Sequence, residues 1–473
     1  MKRIGMKRIG MIKFPRLGRS GRGRAARAKA ALATGVTALL ATVLSACSGG
    51  AGGTANNVIS YWLWDSSQEP GYQQCANLFH KANPDLSVKI TQYGWNDYWT
   101  KLTAGFIAGT APDVFTNHLT KYPQFVDLNV LQPLDELPAT KGISNDEFQP
   151  GLGELWTGKD GHRYGSPKDW DTVGLFYNEN LLKKAGVDPS ELNNLAWNPQ
   201  NGGTFEKLIA HLTIDTHGVR GDQKGFDKNH IAVYGFGGLG AGDNMAQTTW
   251  SAFAYSNGWT YMNKNPWGNS YNYGSPKLQE TLKWYFGLAQ KGYAPTYNSF
   301  SSSFGGFNQL AANKAAIVQD GAWMIATYQT IKGVKWGIAP MPIGPTGHRA
   351  GPLGSLADSI TKTAKNKNAA AKWVQFMSTA QCQDVIAKAG VVFPARPAST
   401  QLSLQTRKAA GIDASSFVNM VQNKETFFLP ISSFGADITA IMTPGLQAIY
   451  TGQKPVSYLE TLNEQVNRLF KLN

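Results

Sequence analysis

Asp169 and Asp171 stand two residues apart in PKDWDT, an extended segment on which both would share a face. Paired carboxylates are what glycoside hydrolysis places on either side of the scissile bond, but a catalytic separation is not encoded in that spacing. Two phosphate-site lookalikes are weaker still. Gly153 to Asp160, GELWTGKD, nearly spells a P-loop, yet Asp160 stands where Ser or Thr would hold magnesium, and Asp160-Gly161 signals a turn. Gly235 to Gly240, GFGGLG, follows the apolar run Ile231–Tyr234 and matches a dinucleotide fingerprint. A dinucleotide fold also wants an acid about 20 residues further on. No Asp or Glu occurs between Asp243 and Glu280. The seven histidines are scattered, there is no CxxC, HExxH or GxSxG, and neither a metal site nor a cofactor is expected.

The aromatic residues say more. The chain has 14 tryptophans, and Trp64, Trp95, Trp170 and Trp323 fall where turns follow strand-like runs. In an α/β protein that position is the mouth of the ligand crevice. Indole faces suit the apolar faces of pyranose rings, with neighbouring Asp and Asn serving the hydroxyls.

Alternating elements are needed to hold those residues. Val58–Trp64, Leu86–Tyr93, Asp113–Phe115, Thr172–Tyr177, Ala315–Val318 and Lys335–Ala339 read as strands. Tyr72–Ala82, Tyr98–Gly109, Asn180–Ala185, Phe205–Leu212 and a segment from Ser275 to Gly292 read as helices, with one or two more over Asn368–Ala389. Strands alternating with helices imply an α/β fold, and proline-rich interruptions at Pro340–Pro352 and Phe393–Pro397 mark chain crossovers between two lobes. The repeated MKRIG at the start reads as a second start site, and no solenoid period occurs.

The net charge of +14 carries no message about nucleic acid, because eleven of the basic residues lie in the first 29 and no acid accompanies them there. An uncharged run from Ala30 to Ala46 follows, ending Leu44-Ser45-Ala46-Cys47. A basic n-region, an apolar h-region and small residues make a secretory signal over residues 1–46. The ending resembles the lipobox of bacterial lipoproteins, which implies a lipid on Cys47, with residues 47–57 as a flexible tether. Two cysteines remain, Cys75 and Cys382, and spacing alone does not say whether they pair.

The order of segments then becomes informative. ISYWLWD is followed by FHKANPDLSVKI, DYWTKLTAGFIAGTAPDVF, YGSPKDWDTVGLFYNENLLKKAGVD, ANKAAIVQDGAWM, WGIAPMPIGP and VVFPARP. From about Val58 to the C-terminus this resembles the extracellular sugar-binding proteins of bacterial ABC importers, the family of maltose-binding protein. The resemblance implies a two-lobe α/β fold of the periplasmic-binding-protein kind, with a multi-strand hinge and an interlobe cleft. Lobe 1 is expected at 56–171 and 343–395, and lobe 2 at 172–342 and 396–473. Matching motifs assigns ligand contacts to Trp64, Asp65, Asn117, His118, Asp169, Asp171, Asp320, Trp323 and Arg396. Trp250 and Trp259, in the variable second lobe, are added as aromatic candidates. Gly-Ala-Trp in place of the commoner Gly-Ser-Trp and the polar insert His217–His230 depart from the family pattern. With Cys75 and Cys382 both in lobe 1, each on a helix, a disulfide is open to them, the alternative being two buried thiols.

The function implied is a monomeric, non-enzymatic receptor for a mono- or oligosaccharide. It would be held at the outer face of the cytoplasmic membrane by lipid on Cys47 and would deliver its ligand to an ABC permease. A receptor for a polyamine or phosphodiester is the first alternative, since Asp65, Asp169, Asp171 and Asp320 would suit a polycation. A secreted carbohydrate-active enzyme is the second.

Overall fold

The computed structural model describes residues 57–300 and 304–471. The leader 1–46 and Cys47 lie outside them. Among the described residues thirteen strands form two sheets. The first contains β1 (Val58–Leu63), β2 (Ser87–Gln92), β3 (Val114–His118), β4 (Leu131–Gln132), β5 (Ser166–Asp171), β11 (Gly351–Thr361), β12 (Phe393–Pro394) and β13 (Thr426–Phe428). The second contains β6 (Val173–Asn178), β7 (Ile214–Asp215), β8 (Ile231–Gly237), β9 (Ala315–Gly321) and β10 (Trp336–Ala339).

In the first sheet the order is β12-β5-β11-β3-β1-β2, with β13 and β4 on the two ends of β11. Strands β1, β2 and β3 pair in parallel, while β11 runs antiparallel to both β3 and β5. The second sheet has the order β10-β6-β9-β8-β7. Only Thr172, fully buried, separates the last residue of β5 from the first of β6, so the chain leaves one sheet and enters the other in a single step. It returns over residues 340–350, from β10 to β11. The fold is thus two α/β lobes joined by a multi-strand hinge.

Local chemistry accounts for the elements. In β1 the alternation buries Ile59, Tyr61 and Leu63, a strand with one face on a helical layer. The helix Glu69–Ala82 has Pro70 in its first turn and buries Tyr72, Cys75, Ala76 and Phe79 at helical spacing. Cys75 and Cys382, 307 residues apart, are joined by a disulfide that ties this helix to Ala380–Ala389 inside a core with Trp373 and Phe376.

The helix expected from Tyr98 begins earlier, at Trp95, because extended Gly94 precedes it, and it ends at Gly109 in the left-handed conformation glycine favours. Asn368–Ala389 resolves into two helices, Lys367–Ser378 and Ala380–Ala389, broken at the extended Thr379. The P-loop lookalike is a turn: Gly158 N–H donates to His162 O and Gly161 has φ +84°. Gly235 and Gly237 lie within β8, and the next helix starts only at Ser251, so no helix N-terminus faces the glycines. Among the described residues no helix is long and apolar enough to cross a membrane.

Candidate functional site

A cleft of about 500 Å³ opens where β5 hands the chain to β6. Its floor is the end of β5, Asp169, Trp170 and Asp171, with Leu356 of β11 beside it. One wall comes from the turn after β1 and from His118 at the end of β3, the other from the segment after β9.

The first wall is aromatic. The Trp64 ring meets Trp95 at 5.1 Å, Tyr98 at 5.1 Å and Trp99 at 5.4 Å, so each indole is held by the edges of its neighbours. Trp64 is further fixed by Gln92 Nε2, which donates to its carbonyl at 2.8 Å. Asp65 closes the turn: its carboxylate accepts from Ser67 N–H at 2.8 Å and from Gln68 Nε2 at 2.9 Å. His118 lies 5.7 Å from Trp95, and burial together with nearby Lys121 pushes its pKa down to about 3, so the imidazole is neutral.

The floor carries two carboxyl groups with few polar partners. Asp169 is 2% exposed; Oδ1 accepts one long bond from Leu356 N–H at 3.3 Å, and Oδ2 accepts none. Burial pushes its pKa up to about 7. Asp171 accepts from Gln247 Nε2 at 3.2 Å, and burial with the neighbouring Asp169 carboxylate pushes it up to about 8. Between them Trp170 stacks on Phe393 at 4.7 Å and donates from Nε1 to Thr400 Oγ1 at 3.0 Å.

On the second wall Val173 of β6 pairs with Gly321 of β9, and Ala322 N–H donates to Thr172 O at 3.0 Å. That register brings Trp323 onto the crossing point. Gly321 is required for close approach: a Cβ there would fall 2.1 Å from the Trp323 ring.

Of the residues expected to contact ligand, Trp64, Asp65, His118, Asp169, Asp171 and Trp323 line this one cleft. The others do not line it. Asn117 is fully buried, donating from Nδ2 to Ser359 Oγ at 3.1 Å and accepting from His118 N–H. Asp320 faces Tyr328, whose hydroxyl donates to Oδ2 at 3.1 Å, and burial lifts its pKa to about 6. Arg396 is tied to Glu147 and donates from Nε to Ser378 O at 2.6 Å. Trp250 and Trp259 are core residues, 0% and 2% exposed, with indole N–H groups given to Ala241 O and Asn272 O. Their positions carried no local signal separating a core indole from an exposed one.

Sequence reasoning missed Gln247 and Phe393. Trp95, which it placed at the crevice mouth without naming it a ligand contact, lines the cleft and is 44% exposed. Phe393 lies in the VVFPARP run from which Arg396 was taken, and the phenyl ring rather than the guanidinium faces the cleft. Gln247 had no signal in the sequence. Among the described residues no group of three or more His, Cys, Asp or Glu side chains could hold a metal ion.

Comparison with known proteins agrees with this architecture. The family model for bacterial extracellular solute-binding proteins matches residues 74–411. A putative binding protein of Brucella abortus is 22% identical over 444 residues, covering 91% of this chain and 97% of the relative. The maltodextrin-binding protein MdxE of Bacillus subtilis is 26% identical over 347 residues, 72% of this chain and 74% of the relative. Among solved structures, an ABC substrate-binding protein of Listeria monocytogenes in complex with cycloalternan superposes with a TM-score of 0.73 at 19% identity, covering 88% of this chain and 99% of its own. The GacH receptor of Streptomyces glaucescens, solved unliganded and with acarbose, gives 0.71 at 19% identity, covering 87% and 98%.

Proposed function

The chain belongs to the family of bacterial extracellular solute-binding proteins, and from that premise we propose that it is a receptor for a mono- or oligosaccharide. The observation that carries this reading is the convergence of Trp64 and Trp95 on one wall and Trp323 on the other above the Asp169–Asp171 floor. Aromatic faces exclude water from the apolar side of a sugar ring while carboxylates accept from its hydroxyls.

In this reading Trp64, Asp65, His118, Asp169, Asp171 and Trp323 hold the ligand. The lobes are 56–171 with 343–395 and 172–342 with 396–473. Ligand touching both walls favours a closed arrangement over an open one, because only the closed state gains both sets of contacts. The protein does no chemistry on the sugar and hands it to the permease subunits of an ABC importer. Lipid on Cys47 holds the monomer at the outer face of the cytoplasmic membrane.

A thermal-shift panel of mono- and oligosaccharides tests the receptor role, since a ligand that binds only the folded state raises its melting temperature. Calorimetry then supplies the affinity, and small-angle scattering with saturating ligand should give a smaller radius of gyration. No shift with any sugar, or reducing-end product appearing from an oligosaccharide, would remove the proposal. Cys47→Ser should release the protein from the membrane fraction.

A further inference from the structure

The charge inventory of the cleft is one-sided. Asp65, Asp169 and Asp171 line it, and among the described residues no Lys or Arg does. Asp65 is committed to its own turn through Ser67 and Gln68. Asp169 and Asp171 are not so committed: Asp169 Oδ2 is buried without a hydrogen-bond partner, and Asp171 has the neutral amide of Gln247. Gly354, paired with Asp171 across the sheet, brings no charge.

The nearby cations are spoken for. Lys168 Nζ lies 2.9 Å from Tyr61 Oη, 2.9 Å from Thr116 Oγ1 and 3.8 Å from Asp358 Oδ1, and 3.9 Å from the centre of the Tyr72 ring. Lys168 still draws on Asp169 through space, but Asp358 and Asp65 act against it, and burial outweighs the ammonium so that the net shift is upward. Lys121 sits 5.9 Å over the Trp99 ring and does not line the cleft, and His118 in the wall is neutral. Buried carboxylates are normally paired, because taking an unpaired charge from water costs several kcal/mol or neutralises the group.

A neutral polyol leaves the two carboxyls protonated, as burial holds them in the empty cleft. A ligand ammonium supplies the counter-charge their ionised forms lack, and the indoles of Trp64, Trp95 and Trp323 suit a cation as well as a sugar face. Resting on the sugar-receptor reading, we propose that the ligand is an amino sugar whose ammonium sits against Asp171, with Asp169 behind it. In the empty cleft burial holds the pair near about 7 and about 8, so near neutrality the two carboxyls keep protons. The arriving ammonium favours their ionised forms, and the displaced proton leaves to the buffer. Binding therefore strengthens as pH rises toward the pKa of the pair.

The test is calorimetry on the purified full chain with matched sugars: glucose and glucosamine, galactose and galactosamine, cellobiose and its diamino counterpart. The expected result is that an amino member binds about tenfold or more tightly than its hydroxyl twin near pH 7.5. Repeating the titration in buffers of different ionisation enthalpy should show proton release, and the preference should shrink near pH 5.5. Asp171→Asn should bring the two twins to equal affinity; Asp169→Asn, with melting curves on both variants, covers the case in which the first misfolds. Neutral twins binding as tightly as amino ones, or a preference that survives both substitutions, overturns the amino-sugar inference and leaves the sugar receptor standing. Spermidine binding where no sugar of either kind binds overturns the sugar reading and this inference with it.

Discussion

Gln247 Nε2 lies 3.2 Å from Asp171 Oδ1, so a residue from the segment after β8 reaches the last residue of β5 beside the crossing between sheets. The same carboxylate lies over Gly354 of β11, where a Cβ would come within 2.3 Å of Oδ1. Asp171 is therefore held from both directions of the chain's passage, and its position reports on the hinge as well as on the cleft. Gly354 needs no unusual backbone angle, so its lack of a side chain matters for space alone.

Trp323 and Gly321 make a paired test of the second wall. Trp323→Ala should weaken sugar binding about 30-fold, the cost of roughly 2 kcal/mol common for a central aromatic anchor. Gly321→Ala should act in the same direction without removing the indole, because the new Cβ would lie 2.1–2.3 Å from three ring atoms and push the ring aside. Calorimetry beside a melting curve separates binding from folding. A normal affinity with a lowered melting temperature in both variants would make Trp323 a core residue.

Stability should depend on pH through the floor of the cleft. The folded pKa values of Asp169 and Asp171, about 7 and about 8, lie above the ordinary carboxylate value. Folding thus retains protons there, and the stability so gained is complete below about pH 4 and lost as pH rises through the folded values. His118 works the other way: with a folded pKa of about 3, its contribution is complete above about pH 6.5 and lost on acidification. Between about pH 6.5 and 8.5 the carboxylates dominate among these three. The ligand-free protein should melt at progressively lower temperature across that window, and Asp171→Asn should flatten the slope. A melting temperature that rises through it would contradict the assignment.

The Cys75–Cys382 bridge closes a very long loop, 307 residues. Replacing both cysteines with serine should cost about 2–5 kcal/mol, the range for removing a native disulfide. Denaturant curves on the two proteins measure it. Alkylation of protein matured outside the cytoplasm should label neither thiol until reductant is added; free thiols there would dismiss the bridge.

Lys168 and Asp358 are both buried, and Tyr61 Oη links them by donating to Asp358 Oδ1 at 2.8 Å. Lys168→Met should leave Asp358 without its cation and destabilise the fold by about 3–5 kcal/mol. Adding Asp358→Leu should recover much of that loss, since an apolar pair has no charge to strand. A double variant no more stable than the single one would show that the network's other bonds, to Thr116 and Tyr61, matter more than its charges.

Elements with a strong local pattern were readable in advance. Alternation in Val58–Leu63 and helical spacing in Glu69–Ala82 depend on near neighbours in the chain, as does the helix opening at Ser275. So does the extended PKDWDT segment, whose alternation puts Asp169 and Asp171 on one face. The strand-end position also picked out Trp64, Trp95, Trp170 and Trp323, which line the cleft, but for Trp250 and Trp259 the facing was not readable in this way. Trp323 and Trp250 both sit beside short helices, yet one lines the cleft and the other is sealed in the core. The difference arises from what each meets across the fold: Trp323 follows a strand whose register against β6 ends at the crossing, whereas Trp250 precedes a helix buried at nearly every position. Phe393 replaced Arg396 for the same reason, because β12 pairs with the end of β5 while Arg396 turns back to Glu147. Gln247 meets Asp171 from 76 residues away. Burial and convergence of this kind are set by strand register and packing between distant segments, and short-range propensity carries no term for either.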